Sequence, residues 1–147
     1  MTADKATRAQ VTWVEGMQFV ARGEASGVAV VLDGAAGHGG FGSGPRPMEM
    51  LLLGLAGCTG MDVISILRKK RQQVTGFTMN LRGYRADEHP KRYTRIEIEY
   101  VFRGENLSPE AVARSIELSQ TKYCSVSASL NAEIVPTFRI LDGETDG

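Results

Sequence analysis

The sequence predicts an α+β fold: an antiparallel sheet with a long, buried central helix. Three observations predict it. Two mid-chain segments alternate apolar and polar residues with period two, the mark of strands with one packed and one wet face. The stretch from about Pro47 to about Gln72 repeats apolar residues at spacings of three and four, the mark of a helix. The predicted elements are grouped as strands, helix, strands, helices, strand rather than alternating one by one, which favours antiparallel sheet with segregated helices.

The chain has 147 residues, enough for one domain with a sizeable core. Hydrophobic residues make up 42% and charged residues 23%, the composition of an ordinary globular protein. Basic and acidic residues are equal at 17 each, so no bulk field attracts nucleic acid or an anionic membrane. The basic run Arg68-Lys69-Lys70-Arg71 falls at a predicted helix end, where cations favour the negative end of the dipole. The N-terminal Met1-Thr2-Ala3-Asp4-Lys5 has no apolar core of a signal peptide. The uncharged run from Met50 to Met61 falls short of the about 20 residues that span a bilayer. The expectation is a cytoplasmic protein with no membrane and no nucleic-acid partner. In that compartment thiols are mostly reduced, and disulfides tend to be transient and catalytic.

Arg8 to Val14 reads as a strand with Val11 and Trp13 on one face. Glu15-Gly16 marks a turn, and Met17 to Ala21 is its hairpin partner. Val28 to Asp33 is a short β-rich run before a glycine-rich loop, Gly34 to Gly44. Pro47 suits the first helical turn, where its missing N–H costs nothing, and Glu49 suits the positive end of the dipole. In the helix, Met48, Leu51, Leu52, Leu55, Cys58 and Met61 make one apolar stripe. Adjoining rows are apolar too, so the first half should be buried on all sides. Gly54 and Gly57 weaken it by roughly 1 kcal/mol each relative to alanine, which suggests that another backbone approaches closely there.

Phe77 to Arg85 and Thr94 to Phe102 are the two alternating strands, joined by a charged hairpin loop containing Pro90. Ser108-Pro109-Glu110 is a helix start: a hydroxyl cap, proline at the first position, an acid in the first turn. That helix should end near Lys122, with Val112 and Ile116 facing inward. Cys124 to Leu130 can form another short helix. Ile134 to Leu141 reads as a last strand, an edge strand or a bulge because of Pro136.

Gly37-His38-Gly39-Gly40-Phe41-Gly42 matches G-x-G-x-x-G but is not a dinucleotide fingerprint. The third glycine should open a helix, and here Pro45 and Pro47 delay the helix until after the motif. The acidic residue about 20 positions on, Asp62, falls inside a helix rather than at a strand end. A mobile loop fits better, with room for a lid or substrate mouth. No metal is expected: His38 and His89 both lie in loops, and there is no C-x-x-C pair. No G-x-S-x-G elbow supports serine hydrolysis.

The two cysteines remain. Cys58 sits in the apolar helix, and on composition alone it reads as a small core residue. Cys124 lies near a helix start beside Lys122, and both features would lower a thiol pKa. Tyr123 offers a hydrogen bond nearby. Glu49 precedes Cys58 by more than two helical turns, roughly 13–14 Å along the axis, so direct contact within one helix is excluded.

Gly44-Pro45-Arg46-Pro47-Met48-Glu49-Met50-Leu51-Leu52-Leu53 followed by Ala56-Gly57-Cys58 resembles the central helix of the OsmC/Ohr family of thiol-dependent hydroperoxide reductases. Lys122-Tyr123-Cys124-Ser125-Val126 resembles its second cysteine motif. Trp13-Val14-Glu15-Gly16, Leu32-Asp33-Gly34 and Met61-Asp62-Val63-Ile64-Ser65-Ile66-Leu67 look most like the YhfA-type branch. The resemblance runs from about Arg8 to Ile140.

The resemblance implies a single OsmC-like domain forming an intertwined homodimer, with the central helices side by side and two sites at the interface. It implies that Cys58 attacks an organic hydroperoxide, that its sulfenic acid condenses with Cys124 to a disulfide, and that a dithiol reductant restores both thiols. No cofactor enters this chemistry. Glu49 matches the family glutamate that holds a thiolate-stabilising arginine. Neither family placement of that arginine is matched; Arg22 and Arg46 are present but unaligned. The alternative expectation is a redox-sensing or small apolar ligand-binding protein without efficient peroxidase turnover. The blandest is a dimeric scaffold with inert thiols.

Overall fold

The computed structural model describes residues 5–141. The segment read as lacking a signal peptide lies, for residues 1–4, outside them. The chain divides into two compact units, one ending at Leu51 and one beginning at Leu52.

The first unit is an antiparallel three-stranded sheet in the order β1 (Ala9–Glu15), β2 (Gln18–Gly23), β3 (Ala29–Leu32). Gly16 turns the first hairpin with φ 56°, and its carbonyl accepts Trp13 Nε1–H at 2.9 Å. The glycine-rich loop, expected to be mobile with room for a lid or substrate mouth, is anchored at one point. Buried Asp33 ties it down, accepting from Gly34 N–H at 2.7 Å, Phe41 N–H at 3.1 Å, Ser43 N–H at 3.2 Å and Ser43 Oγ–H at 2.6 Å. Gly40 presses on the Gly34 backbone so closely that a Cβ would overlap it. The glycines allow the loop to pack.

The helix α1 (Pro47–Lys69) ends where Arg71 adopts φ 57°, a little short of Gln72. Its N-terminus is closed by Glu49 at the third helical position, whose carboxylate accepts Arg46 N–H at 2.9 Å, one arm of a capping box. By length and composition α1 could cross a bilayer, something the uncharged run within it does not reveal.

The second unit holds the sheet β4 (Val74–Arg85), β5 (Tyr93–Gly104), β6 (Glu133–Leu141), in that order. β4 and β5 pair antiparallel, but β5 and β6 pair parallel, so the sheet is mixed rather than purely antiparallel. A parallel pair needs a crossover, and α2 (Pro109–Leu118), a π-helical turn (Ser119–Tyr123) and α3 (Ser125–Ser129) supply it. Ser108 caps α2 as predicted, accepting from Ala111 N–H at 3.2 Å. Pro136 lies on the edge strand, where a missing N–H is tolerated.

The packed face of this sheet is the predicted alternation: Ile96, Ile98, Tyr100 and Phe102 are fully buried. Phe77 stacks on Phe102, its register partner, with centroids 4.6 Å apart. From α1, the row Leu55, Thr59, Val63, Leu67 is also fully buried. The glycine that permits close approach within the chain is Gly60, where a Cβ would lie 2.6 Å from Met79 Cε. Gly54 and Gly57 instead face open space: among the described residues, their own helix backbone aside, nothing lies within 4 Å of where a Cβ would stand. Leu53 is 58% exposed and Met61 76% exposed. The expectation that the first half of this helix is buried on all sides therefore fails for the single chain: one stripe packs on the sheet and the other is bare.

Candidate functional site

Cys58 and Asp62, one helical turn apart, share a face of α1, beside the buried Thr59 row. Cys124 arrives from the far side of the crossover, as the residue between the π-helical turn and α3. Its N–H donates to Ser119 O at 2.7 Å, which fixes the turn. The two sulfurs and an Asp62 carboxylate oxygen all lie within 4.8 Å of one another. Cys124 is buried; Cys58 and Asp62 are half-buried.

A buried chain of hydroxyls supports these three groups. Thr59 Oγ1 lies 2.7 Å from the Tyr100 hydroxyl and 2.7 Å from Ser119 Oγ, and Ser119 Oγ donates to Asp62 Oδ2 at 2.9 Å. The carboxylate can only accept, which fixes every proton along the chain. Ser119 donates to Asp62 and so accepts from Thr59. Thr59, having given its proton, accepts from Tyr100. Gln120 Nε2 donates to both Thr59 Oγ1 and Tyr100 Oη, each at 3.1 Å. Gln120 Oε1 accepts Ser127 Oγ–H at 3.0 Å, and Ser127 N–H points at Cys124 Sγ at 3.4 Å. Among the described residues no buried side-chain nitrogen or oxygen lacks a partner.

Burial pushes the Cys124 thiol up from its ordinary value; Ser127 pulls it down in part, and the neighbouring Cys58 thiol raises it again. This corrects the expectation that Cys124 is the activated thiol. α3 is only a single turn, and Lys122 lies over the Tyr123 ring at 5.1 Å rather than on the sulfur. Tyr123 is itself exposed.

Glu49 and its side-chain partner Arg46 both belong to the first unit. Besides its capping bond, it meets Arg46 Nη1 at 3.5 Å. Its carboxyl is held below the usual range, chiefly by Arg46 N–H, against some desolvation and with help from the guanidinium. Arg46 also lines an apolar groove of about 420 Å³ with Val11, Met17, Phe19, Leu32 and Pro47. Of the predicted site residues, the structure brings Cys58 and Cys124 together and sets Glu49 with Arg46.

Sequence reasoning missed Thr59, Tyr100, Ser119, Gln120 and Ser127, and weighed Asp62 only against a nucleotide motif. The four-residue spacing of Cys58 and Asp62 was the signal available for the last. The others are single polar residues on elements that pair only in three dimensions.

The family model described as OsmC-like protein matches residues 39–139. Protein YhfA of Escherichia coli strain K12 is 39% identical over 127 residues, covering 86% of this chain and 91% of that one. The chain belongs to the OsmC-like family. Its fold within that family extends to solved structures. A hypothetical protein from Aquifex aeolicus VF5 superposes with a TM-score of 0.82 at 29% identity, over 96% of this chain and 100% of the other. An organic hydroperoxide resistance protein from Elizabethkingia anophelis, solved with thiocyanate bound, superposes with a TM-score of 0.63 at 15% identity, over 97% and 99% of the two chains. At that identity it shares the OsmC-like fold alone.

Proposed function

We propose that this OsmC-like domain is a thiol-dependent redox protein that reduces organic hydroperoxides to alcohols, working as a cytoplasmic homodimer. The Cys58 thiolate attacks the O–O bond, taking one oxygen and releasing the other as the alcohol. The resulting sulfenic acid condenses with the Cys124 thiol, forming the disulfide and losing water. The sum is dithiol plus hydroperoxide giving disulfide, alcohol and water, and a dithiol reductant closes the cycle by exchange.

The observation that carries this reading is the convergence of Cys58 Sγ and Cys124 Sγ from elements distant in sequence. Burial supports the division of roles. Cys124, pushed toward the thiol form, is a poor first attacker at neutral pH and suits the resolving step. Half-buried Cys58 is then the attacking sulfur. In the first unit, an apolar groove bearing one guanidinium suits an apolar molecule with a polar oxygen end. Glu49 is the carboxylate that holds that guanidinium, Arg46. The bare stripe of α1 at Gly54 and Gly57 supports a second copy of the chain as its cover.

A second reading has its own support. Neither family placement of the thiolate-stabilising arginine is matched in this sequence. This favours a redox sensor that forms the disulfide slowly, without efficient turnover.

Mass spectrometry after equimolar organic hydroperoxide tests both. A Cys58–Cys124 crosslink with rapid alcohol release supports the peroxidase, and a crosslink formed only slowly supports the sensor. Unchanged hydroperoxide consumption in Cys58→Ser rules out the proposed chemistry.

A further inference from the structure

The triad at the head of the hydroxyl chain has a second chemistry. Two thiols and a carboxylate, each offering one ligand atom, lie within 4.8 Å of one another. A tetrahedral zinc ion with Zn–S about 2.3 Å and Zn–O about 2.0–2.2 Å places its ligand atoms about 3.5–3.8 Å apart. Side-chain shifts of about an ångström therefore close this set on one ion.

The surroundings of the three groups are those of a ligand set. Ser119 Oγ–H orients the Asp62 carboxylate at 2.9 Å and leaves it further lone pairs. Ser127 N–H is directed at Cys124 Sγ at 3.4 Å. Such outer bonds fix the orientation of metal ligands. Cys58 and Asp62 are held rigidly by one helix, and Cys124 is buried against them. Thiolates select thiophilic ions such as zinc over magnesium or calcium, which want oxygen.

We infer that the reduced Cys58–Asp62–Cys124 triad is a three-ligand site for a thiophilic divalent cation, with zinc the type case. Binding displaces the two thiol protons, and the ion then caps both sulfurs. Oxidation ejects it: the two thiolates lose two electrons to form the disulfide, leaving Asp62 as the sole ligand. The oxidant takes up those electrons with two protons, so a hydroperoxide yields alcohol and water. Binding stands on the geometry alone; release by hydroperoxide rests on the redox reading proposed above.

The test begins with the reduced protein and no peroxide. Zinc uptake is followed by competition with a chromophoric chelator, and cobalt(II) is used as a spectroscopic substitute. The expected result is equimolar zinc and a near-ultraviolet thiolate-to-cobalt band that is lost in Cys58→Ser and Cys124→Ser. Asp62→Asn retains an acceptor for Ser119 and should weaken zinc binding by at least about tenfold. Circular dichroism verifies that each variant is folded. No uptake at micromolar zinc overturns the site, as does uptake that is unchanged in Cys58→Ser or Asp62→Asn, which marks an adventitious surface ion. Release is then compared for an organic hydroperoxide and for diamide, a diazene that oxidises dithiols directly while being reduced to the hydrazine. Release by diamide but not by hydroperoxide upholds the metal site and overturns the peroxidase reading.

Discussion

Thr59 Oγ1 lies 2.7 Å from the Tyr100 hydroxyl, both fully buried, so the central helix and the central strand are bonded one residue from Cys58. The bond matters because each partner also holds something else. Thr59 orders Ser119, which orders Asp62; Tyr100 shares Gln120, which reaches Ser127 and through it Cys124. The scaffold of the thiol pair is thus continuous with the core of its unit.

Thr59→Val keeps the shape and removes the hydroxyl. Ser119 and Tyr100 each lose a partner in a buried site, which costs about 1–3 kcal/mol. Urea denaturation should show that loss. A variant as stable as the parent would mean that the chain of hydroxyls contributes nothing to the fold.

Cys124 should alkylate more slowly than Cys58 at neutral pH and catch up only above the ordinary thiol pKa of about 8.5. Burial raises the folded value, so the folded state binds this proton more tightly than the unfolded state. Stability from this group is complete below the unfolded pKa and is lost as pH rises through the folded one. Cys124→Ala should flatten that alkaline decline. Faster alkylation of Cys124 than of Cys58 at neutral pH would reverse the assigned roles.

Asp33 gathers three backbone N–H groups and the Ser43 hydroxyl. The Ser43 hydroxyl is the chief reason its carboxyl lies below the usual range, against some desolvation. Its stabilisation is present above the unfolded carboxyl pKa, about 3.9, and is lost as pH falls through the lower folded value. Asp33→Ala should accelerate amide exchange at Phe41 and Ser43 without altering β4 or β5. Unchanged exchange would show that the loop holds itself.

Gly54 offers a test whose outcomes have opposite signs. On a bare helix face, Gly54→Ala should stabilise by roughly 1 kcal/mol. Under a second copy packed against that face, larger side chains are excluded. Gly54→Leu is expected to shift a dimer to monomer in sedimentation while the chain stays folded. A Gly54→Leu protein that remains dimeric would place the interface elsewhere.

The elements were legible in the sequence where periodicity was strong. The alternation of Ile96, Ile98, Tyr100 and Phe102 and the Ser108-Pro109 helix start appear in the structure as read. The parallel placement of β6 was not legible, because strand order depends on where a crossover lands rather than on any local pattern. The thiol pair was indicated by motif, but its electrostatics were misread. Proximity of Cys124 to a helix start and to Lys122 is a sequence fact, whereas burial is a tertiary one, and burial prevails. Gly54 and Gly57, the helix glycines suspected of a packing role, face open space, and the helix glycine that lies against a neighbouring side chain is Gly60.

The parallel pairing of β6 with β5 also orders events during folding. Cys58 lies on the first long helix, but Cys124 belongs to the crossover, which is closed only when β6 docks on β5. That closure is a long-range contact, and such contacts form late because loop entropy opposes them. A nascent chain interrupted before Glu133 carries both cysteines and the hydroxyl chain between them, but lacks the strand that closes the crossover. The hydroxyl chain therefore sets the two thiols face to face, and docking of the last strand closes the crossover that carries Cys124.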